Sequence, residues 1–306
     1  MLVSVIIPTY NRVTECCNLI DSLLLSDYSN IEIIVVDNNS DDGTGVVLNE
    51  NYIKIGKPVV IVTLPHNTWT AGGRNAGAKV AKGDYLLFID DDNVVTPTMI
   101  TQLVKSFTDG VGLVSPVFIN VKTNKDILVG GGEFNFLTSR STRVNFAGAD
   151  SEKALYEICY ADNAFMVSKE VVEKVGGHDE IYFMMYDDAD FGYRIKNSGF
   201  KMFTNKNAVT HHYHVMKEAY SQKLRLLGIE TPVRTFHFAK NRSIFMRKFA
   251  PWYCLLIYFL IIAHLACAYY ASVSLAEKRF DIALAYLKGT WKGFFIKIRK
   301  GNYIEL

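Results

Sequence analysis

The chain has 306 residues, 49% hydrophobic and 21% charged, enough for one large globular unit with an appendage. Net charge is +2, but residues 241–306 carry +7 and residues 1–240 carry −5. An acidic body whose aromatics sit in apolar runs argues against a nucleic-acid partner, and a basic, apolar tail points to an anionic membrane surface.

Val3–Pro8 reads as a short buried strand, rich in β-branched residues and closed by proline. Thr14–Ser26 has helical spacing, with Cys17, Ile20, Leu23 and Leu24 on one face and Thr14 as cap. Ile31–Asp37 is a second strand, followed by a polar turn, and Pro58–Leu64 a third. Ala71–Gly83 is a small-residue helix stopped by Gly83. Asp84–Asp90 is a fourth strand. Thr96–Phe107 is a helix with Thr96 as cap and Pro97 at its first position. Gly112–Phe118 is a fifth strand. Strands and helices alternate, and the strands are apolar on both faces. The pattern predicts an α/β fold with a mainly parallel central sheet covered by helices.

Beyond Phe118 the alternation weakens. Val129–Asn135 reads as a turn and Ile158–Val167 as a strand. A short helix follows, then an acidic helix over Asp187–Asn197 that ends at Gly199. Ala208–Val215 carries His211, His212 and His214. Pro251–Ala276 has no charged residue and would reach about 39 Å as a helix, enough to cross a ~30 Å hydrocarbon core. Aromatic residues sit toward its ends and basic residues flank both sides, as for a membrane-associated segment. A buried core helix is the alternative, and the flanking charges do not separate a full span from an interfacial helix. Tyr286–Gly301 mixes aromatics with five cations, as an interfacial helix does. Five unspaced cysteines predict a reduced, cytosolic chain, and the opening residues do not read as a signal peptide.

Ligands of open α/β sheets bind at the carboxyl ends of strands. Two such ends are acidic, Asp37 and the triple Asp90, Asp91 and Asp92. Three adjacent carboxylates repel one another unless a cation sits among them. A divalent ion that also takes phosphate oxygens accounts for them, and helix capping by Asp92 or Asn93 is the other reading. Asp37 either accepts a hydrogen bond from a nucleobase or closes an Asx-turn with Asn38, Asn39 and Ser40. The turn after the first strand is neither a P-loop nor a Gly-x-Gly-x-x-Gly loop, which argues against an ordinary ATP or dinucleotide site and against a nucleotidyltransferase. On the acidic helix, Asp187 and Asp190 share a face and Asp190 pairs with Arg194 at i, i+4. That leaves Asp188 free to act as a general base, or the cluster merely compensates the helix dipole.

Taken in order, the motifs VSVIIPTYNR, VVDNNSDDGT, AGGRNAG, FIDDDNV, GGHDEIYFMMYDDADFGYRIKNSGF and AVTHHYH resemble the family 2 glycosyltransferases, inverting enzymes of the GT-A fold. The resemblance covers Val3 to about Arg247. It implies a Rossmann-like GT-A catalytic domain over residues 1–240, divided into a nucleotide-sugar-binding half (1–118) and an acceptor and catalytic-base half (119–240). Residues 241–306 form membrane-associated helices. Phe236–Tyr253 is similar to the rhamnosyltransferase-like branch.

The resemblance places Pro8, Thr9, Asn11, Asp37, Asn39, Arg74, Asp90 and Asp91 at the nucleotide sugar, with Asn75 beside the nucleotide and Arg74 against its diphosphate. It places Asp92 and His211 (His212 the close second) on a divalent metal, Mg²⁺ or Mn²⁺. Asp162, Asp187 and Asp190 fall in the acceptor region, with Asp188 as general base. The family usually has Glu-Asp where this chain has Asp187-Asp188, which keeps open a catalytically silent, membrane-anchored nucleotide-sugar-binding scaffold. The implied donor is a UDP, dTDP or GDP sugar. The implied acceptor is a glycan or lipid-linked hydroxyl, and the implied location is the cytoplasmic face of a membrane held through residues 251–300.

Overall fold

The computed structural model describes residues 1–120, 128–145, 153–213 and 221–298. In chain order the nucleotide half comprises β1 (Val3–Thr9), α1 (Val13–Leu24), β2 (Ile31–Asp37), α2 (Thr44–Leu48, continued by a π turn over Asn49–Ile53), β3 (Val59–Thr63), α3 (Trp69–Val80), β4 (Tyr85–Ile89), β5 (Asn93–Val95), α4 (Met99–Lys105) and β6 (Val111–Asn120). β7 (Leu128–Asn135), β8 (Arg140–Asn145), β9 (Leu155–Glu157), β10 (Ala164–Ser168), α5 (Lys169–Val175), α6 (Asp187–Asn197) and β11 (Lys201–His212) follow. The chain then turns helical: α7 (Gln222–Leu226), α8 (Pro232–Phe249), α9 (Trp252–Ile257), a π turn over Tyr258–Ile262, α10 (Ala263–Ala276) and α11 (Phe280–Phe295).

The central strand order is β3-β2-β1-β4-β10-β6-β11-β5. Period-two alternation decides which residues face which layer. Val3, Val5 and Ile7 of β1 join Ile33 and Val35 of β2 in a core closed by α1 and α4. Ile6, Ile34, Val36 and Phe88 face the opposite way, onto α3, α5 and α6. Both faces are apolar, as the sequence requires. The sheet is mixed, however: β10 lies antiparallel between β4 and β6, and β5 pairs antiparallel with β11.

Four local expectations change. Val129–Asn135 belongs to strand β7 rather than a turn. Its glycines permit close passage, because a Cβ at Gly131 would lie 2.5 Å from the Tyr160 carbonyl oxygen. Of the expected strand Ile158–Val167 only Ala164–Val167 is strand, within β10; residues 158–163 form the connection from β9. Helix α4 starts at Met99 because the Thr96 hydroxyl donates to the Val209 carbonyl (2.9 Å) instead of capping. Helix α1 starts at Val13 with Arg12 at the cap position and no side-chain cap. All five cysteines are free thiols.

The expected boundary between residues 240 and 241 falls inside α8. Helix α8 packs its buried Ile244, Phe245 and Met246 against Tyr182 and Tyr193 of the acidic-helix region. On another side it receives α11, where a Cβ on Gly293 would lie 2.7 Å from Ser243 Cβ. The apolar helix Trp252–Ala276 is long enough to cross a bilayer, and only 22% of its apolar window is buried, so it is not a core helix. Leu256, Leu260, Ile261 and Leu265 are exposed on it, and Leu284, Leu287, Trp291 and Phe295 on α11. Residues 299–306, the end of the expected interfacial segment, lie outside the described residues, as does His214.

Candidate active site

Parallel pairing aligns the ends of β1 and β2, with Thr9 opposite Asp37. β4 ends beside them and delivers Asp90, Asp91 and Asp92. A cavity of about 270 Å³ opens there, lined by Pro8, Thr9, Tyr10, Arg12, Asn38, Asn67, Trp69, Thr70 and the three aspartates. The fold thus brings Pro8, Thr9, Asp90, Asp91 and Asp92 together on the wall of one cavity. Asp37 is buried at the tip of β2, where its carboxylate accepts the Ser40 N–H at 2.9 Å, an Asx-turn contact. Asn11 and Asn39 shape the rim rather than line the cavity. Both adopt left-handed backbone, with φ of 53° and 66°. Asn11 accepts the Asp41 N–H at 2.9 Å and donates its own N–H to the Ser40 hydroxyl at 3.0 Å, tying the β1 and β2 turns together.

The three aspartates have separate partners. Asp91 is buried and accepts from the Thr9 hydroxyl and the Arg12 guanidinium, both at 2.8 Å. Burial pushes its carboxyl up to about 7 against the pull of Arg12 and Thr9. Asp92 lies 3.3 Å from His212 Nε2 and 3.3 Å from Arg12. Burial opposes ionisation there too, but His212 and Arg12 prevail and hold Asp92 below the usual carboxylate range. Antiparallel pairing sets His212 opposite Asn93 and His211 opposite Val94. Strand alternation thus turns His212 toward Asp92, and His211, the first choice from sequence, away from it. Two cis ligands of an octahedral ion at ~2.1 Å are about 3.0 Å apart, so the carboxylate–imidazole pair fits a Mg²⁺ or Mn²⁺ donor set.

Asp90 points to a second cluster. Its carboxylate accepts from Arg74 at 2.9 Å, and Arg74 also pairs closely with Asp188 and lies 3.5 Å from Asp187. Arg74 is wholly buried. Arg74, expected against the diphosphate, is not among the residues lining the cavity, whereas Arg12 is. Loss of water raises the Asp188 carboxyl well above its usual range, Arg74 opposes this, and Asp187, Asp90 and Asp162 reinforce it. His178, Asp187 and Asp188 bring ligand atoms within 4.8 Å of one another. The guanidinium of Arg74 already supplies the cation for these acids, and the His178 ring is stacked on Phe191 at 4.6 Å, so the group fits a metal poorly.

Asp190 is structural. It is fully buried and takes Arg194 (2.7 Å), the Tyr182 hydroxyl (3.0 Å) and Lys248 of α8. The i, i+4 pair expected from sequence is present. Asp162 pairs with Arg143 of β8. It reaches the site because β10 runs antiparallel to β4, so that the Asp90 N–H donates to the Asn163 carbonyl at 3.0 Å. Asn75 locks the other side, exchanging hydrogen bonds with the His178 backbone at 2.8 and 2.9 Å.

The loop before Asp187 holds three non-glycine residues in left-handed backbone: Phe183, Met185 and Tyr186, at φ of 66°, 63° and 66°. Such residues persist only where surroundings over-determine them. Buried Asn241 of α8 supplies the constraint, donating Nδ2 to the carbonyls of Tyr182, Met184 and Met185 at 2.7, 2.6 and 3.0 Å. Sequence reasoning missed Asn241, Lys248, Arg12 and Trp69. Arg12 carried a signal, as the cation directly following Asn11 in the first motif. The others become visible only through contacts across the fold.

Residues 4–176 match the family model described as Glycosyl transferase family 2, more than half of the chain. An uncharacterized glycosyltransferase of Haemophilus influenzae is 40% identical over 96 residues, 31% of each chain. YwdF of Bacillus subtilis, an uncharacterized glycosyltransferase, is 35% identical over 106 residues, 34% of this chain and 38% of its own. The Escherichia coli UDP-Glc:alpha-D-GlcNAc-diphosphoundecaprenol beta-1,3-glucosyltransferase WfaP is 36% identical over 101 residues, 33% of this chain and 39% of its own. These alignments span about a third of the relatives' length. Among solved structures, GalNAc-T7 with UDP, GalNAc and Mn²⁺ superposes with a TM-score of 0.62 at 16% identity, over 79% of this chain and 51% of its own. The mannosyltransferase PcManGT of Pyrobaculum calidifontis, with GDP-Man and Mn²⁺, gives 0.58 at 16%, over 96% and 87%. At that identity they establish the fold, which is GT-A. On the extent of the family match, this chain is a member of glycosyl transferase family 2.

Proposed function

We propose that this chain transfers a sugar from a nucleotide-diphosphate sugar to a hydroxyl of a glycan or lipid-linked acceptor, with inversion, and that it works at the cytoplasmic face of a membrane. One observation carries the reading: Asp188, at the start of α6, and Asp90, at the tip of β4, meet on one buried guanidinium beside the acidic cavity. Residues 1–118 hold the donor and residues 119–240 the acceptor and base, while 241–306 reach the membrane.

The cavity takes the nucleotide diphosphate, with Arg12 and Thr9 as donors on its floor. Asp92 and His212 would hold a divalent cation, which supplies positive charge for the diphosphate leaving group. Burial raises the Asp188 carboxyl well above its usual range, which makes its carboxylate a stronger base, and Arg74 partly opposes that rise. Asp188 takes the proton from the acceptor hydroxyl as that oxygen attacks the anomeric carbon from the face opposite the diphosphate. A UDP, dTDP or GDP donor satisfies the same set of contacts. The lipid-linked acceptor draws support from the WfaP name, which specifies a diphosphoundecaprenol acceptor, and from the exposed apolar helix Trp252–Ala276.

Asp188→Asn tests the assignment. General-base help is worth about 10²–10⁴-fold, so transfer falls by that factor while donor binding is retained. A variant turning over at the wild-type rate sinks it.

A further inference from the structure

A second cavity, of about 610 Å³, lies between α8, α10 and α11. Phe236 of α8, Ala263 of α10 and Leu287, Trp291 and Phe294 of α11 give it apolar walls. His264, Lys288 and Lys292 stand at its rim, all exposed. Lys288 and Lys292 are one helical turn apart and share a face. Burial lowers the nearby Lys240 ammonium to about 8, with Asp179 opposing the fall and Lys292 adding to it. An apolar trough with a cationic lip suits an amphiphile with a hydrocarbon chain and a phosphate head.

A row of contacting rings runs from the trough to the donor cavity. Trp69, which lines that cavity, meets Phe183 with ring centroids 4.6 Å apart. Phe183 stacks on His237 at 4.5 Å, and His237 meets Phe236, a wall of the trough, at 5.2 Å. His237 is held neutral, because burial and Lys240 lower it to about 4, so the row is an uncharged aromatic path. A bulk membrane lipid that only anchors the protein would need no path to the catalytic cluster.

Resting on the lipid-linked acceptor reading above, we propose that this trough is the binding site for the chain and phosphate of a sugar-diphosphate isoprenoid acceptor. Its hydrocarbon lies against Phe236, Leu287 and Phe294, and its phosphate sits on Lys288 and Lys292. The hydroxyl of its sugar reaches Asp188 along the Trp69–Phe183–His237–Phe236 row.

The test uses the full chain and three sets of vesicles: phosphatidylcholine alone, phosphatidylcholine with phosphatidylglycerol, and phosphatidylcholine with undecaprenyl phosphate at equal total charge. Wild type binds the undecaprenyl phosphate vesicles more tightly than the phosphatidylglycerol vesicles. Lys288→Glu/Lys292→Glu weakens that binding by at least about tenfold. Leu287→Glu, at an exposed position, removes the preference without unfolding the chain. Both variants keep the thermal shift given by UDP, GDP or dTDP with Mn²⁺, whichever wild type shows. Equal binding to both anionic vesicles overturns the proposal in favour of a general anionic surface, and a preference that survives both variants overturns it as well. Neither result touches the Asp188 assignment, which is read from transfer rates.

Discussion

Asn241→Ala is the perturbation most informative about how the fold holds the proposed base, Asp188. The Asn241 side chain has two amide protons, shared among three carbonyls at 2.6–3.0 Å, and it is fully buried. Removing it leaves carbonyl oxygens of Tyr182, Met184 and Met185 without that donor, at about 1–3 kcal/mol for each that stays unpaired. The loop also stores strain at Phe183, Met185 and Tyr186, of order 1–3 kcal/mol each, which is released if the loop relaxes. Relaxation therefore offsets part of the loss, and a net destabilisation of about 2–4 kcal/mol is expected.

For a chain of this size that lowers Tm by roughly 3–6 °C. The functional effect is larger than the stability effect. The loop ends at Asp187 and Asp188, and a shift of about 1 Å in a reacting group costs ~10²-fold in rate. The donor cavity draws on β1, β2, β4 and α3, so donor KM stays near wild type while kcat falls. Asn241→Asp is the matching control, since it keeps the volume and loses the amide donor. Melting curves and steady-state donor kinetics on the three proteins decide the matter. Unchanged kcat in a folded Asn241→Ala protein refutes the link between this clamp and the base.

Other expectations follow from single contacts. Arg12→Ala removes the cation facing the donor cavity and a charged hydrogen bond to Asp91; donor affinity by calorimetry falls about 10–100-fold. His212→Ala raises the metal concentration needed for half-maximal activity at least about tenfold, whereas His211→Ala leaves it near wild type. Burial holds both His178 and His237 neutral to well below their ordinary value, with Arg74 acting on His178 and Lys240 on His237. Below about pH 6.5 the unfolded chain binds protons that these folded imidazoles refuse, so stability falls as pH drops toward 4. His178→Phe removes one refused proton and two buried unpartnered ring nitrogens, so its Tm drops less between pH 7 and pH 5 than wild type's.

Local chemistry fixed a good deal of this protein. Alternating β-branched runs determined β1, β2 and β4 with both faces apolar, because period two is written in adjacent residues. The acidic strand tip Asp90–Asp92, the Asp190–Arg194 turn pair and the uncharged segment Pro251–Ala276 were equally legible, since each depends on neighbours within a turn or on a run of composition. Tertiary structure decided what lies far apart in the chain. Antiparallel insertion of β10 brings Asp162 to Asp90, and the β5–β11 register selects His212 over His211. Arg74 ends among carboxylates from positions 90, 187 and 188 rather than in the cavity. Helix α8, read in sequence as the approach to a membrane, reaches back through Asn241 and Lys248 to hold the loop and helix that carry Asp188. A sequence encodes such pairings only through the sum of burial and charge over the folded whole, because neither partner's local pattern specifies the other.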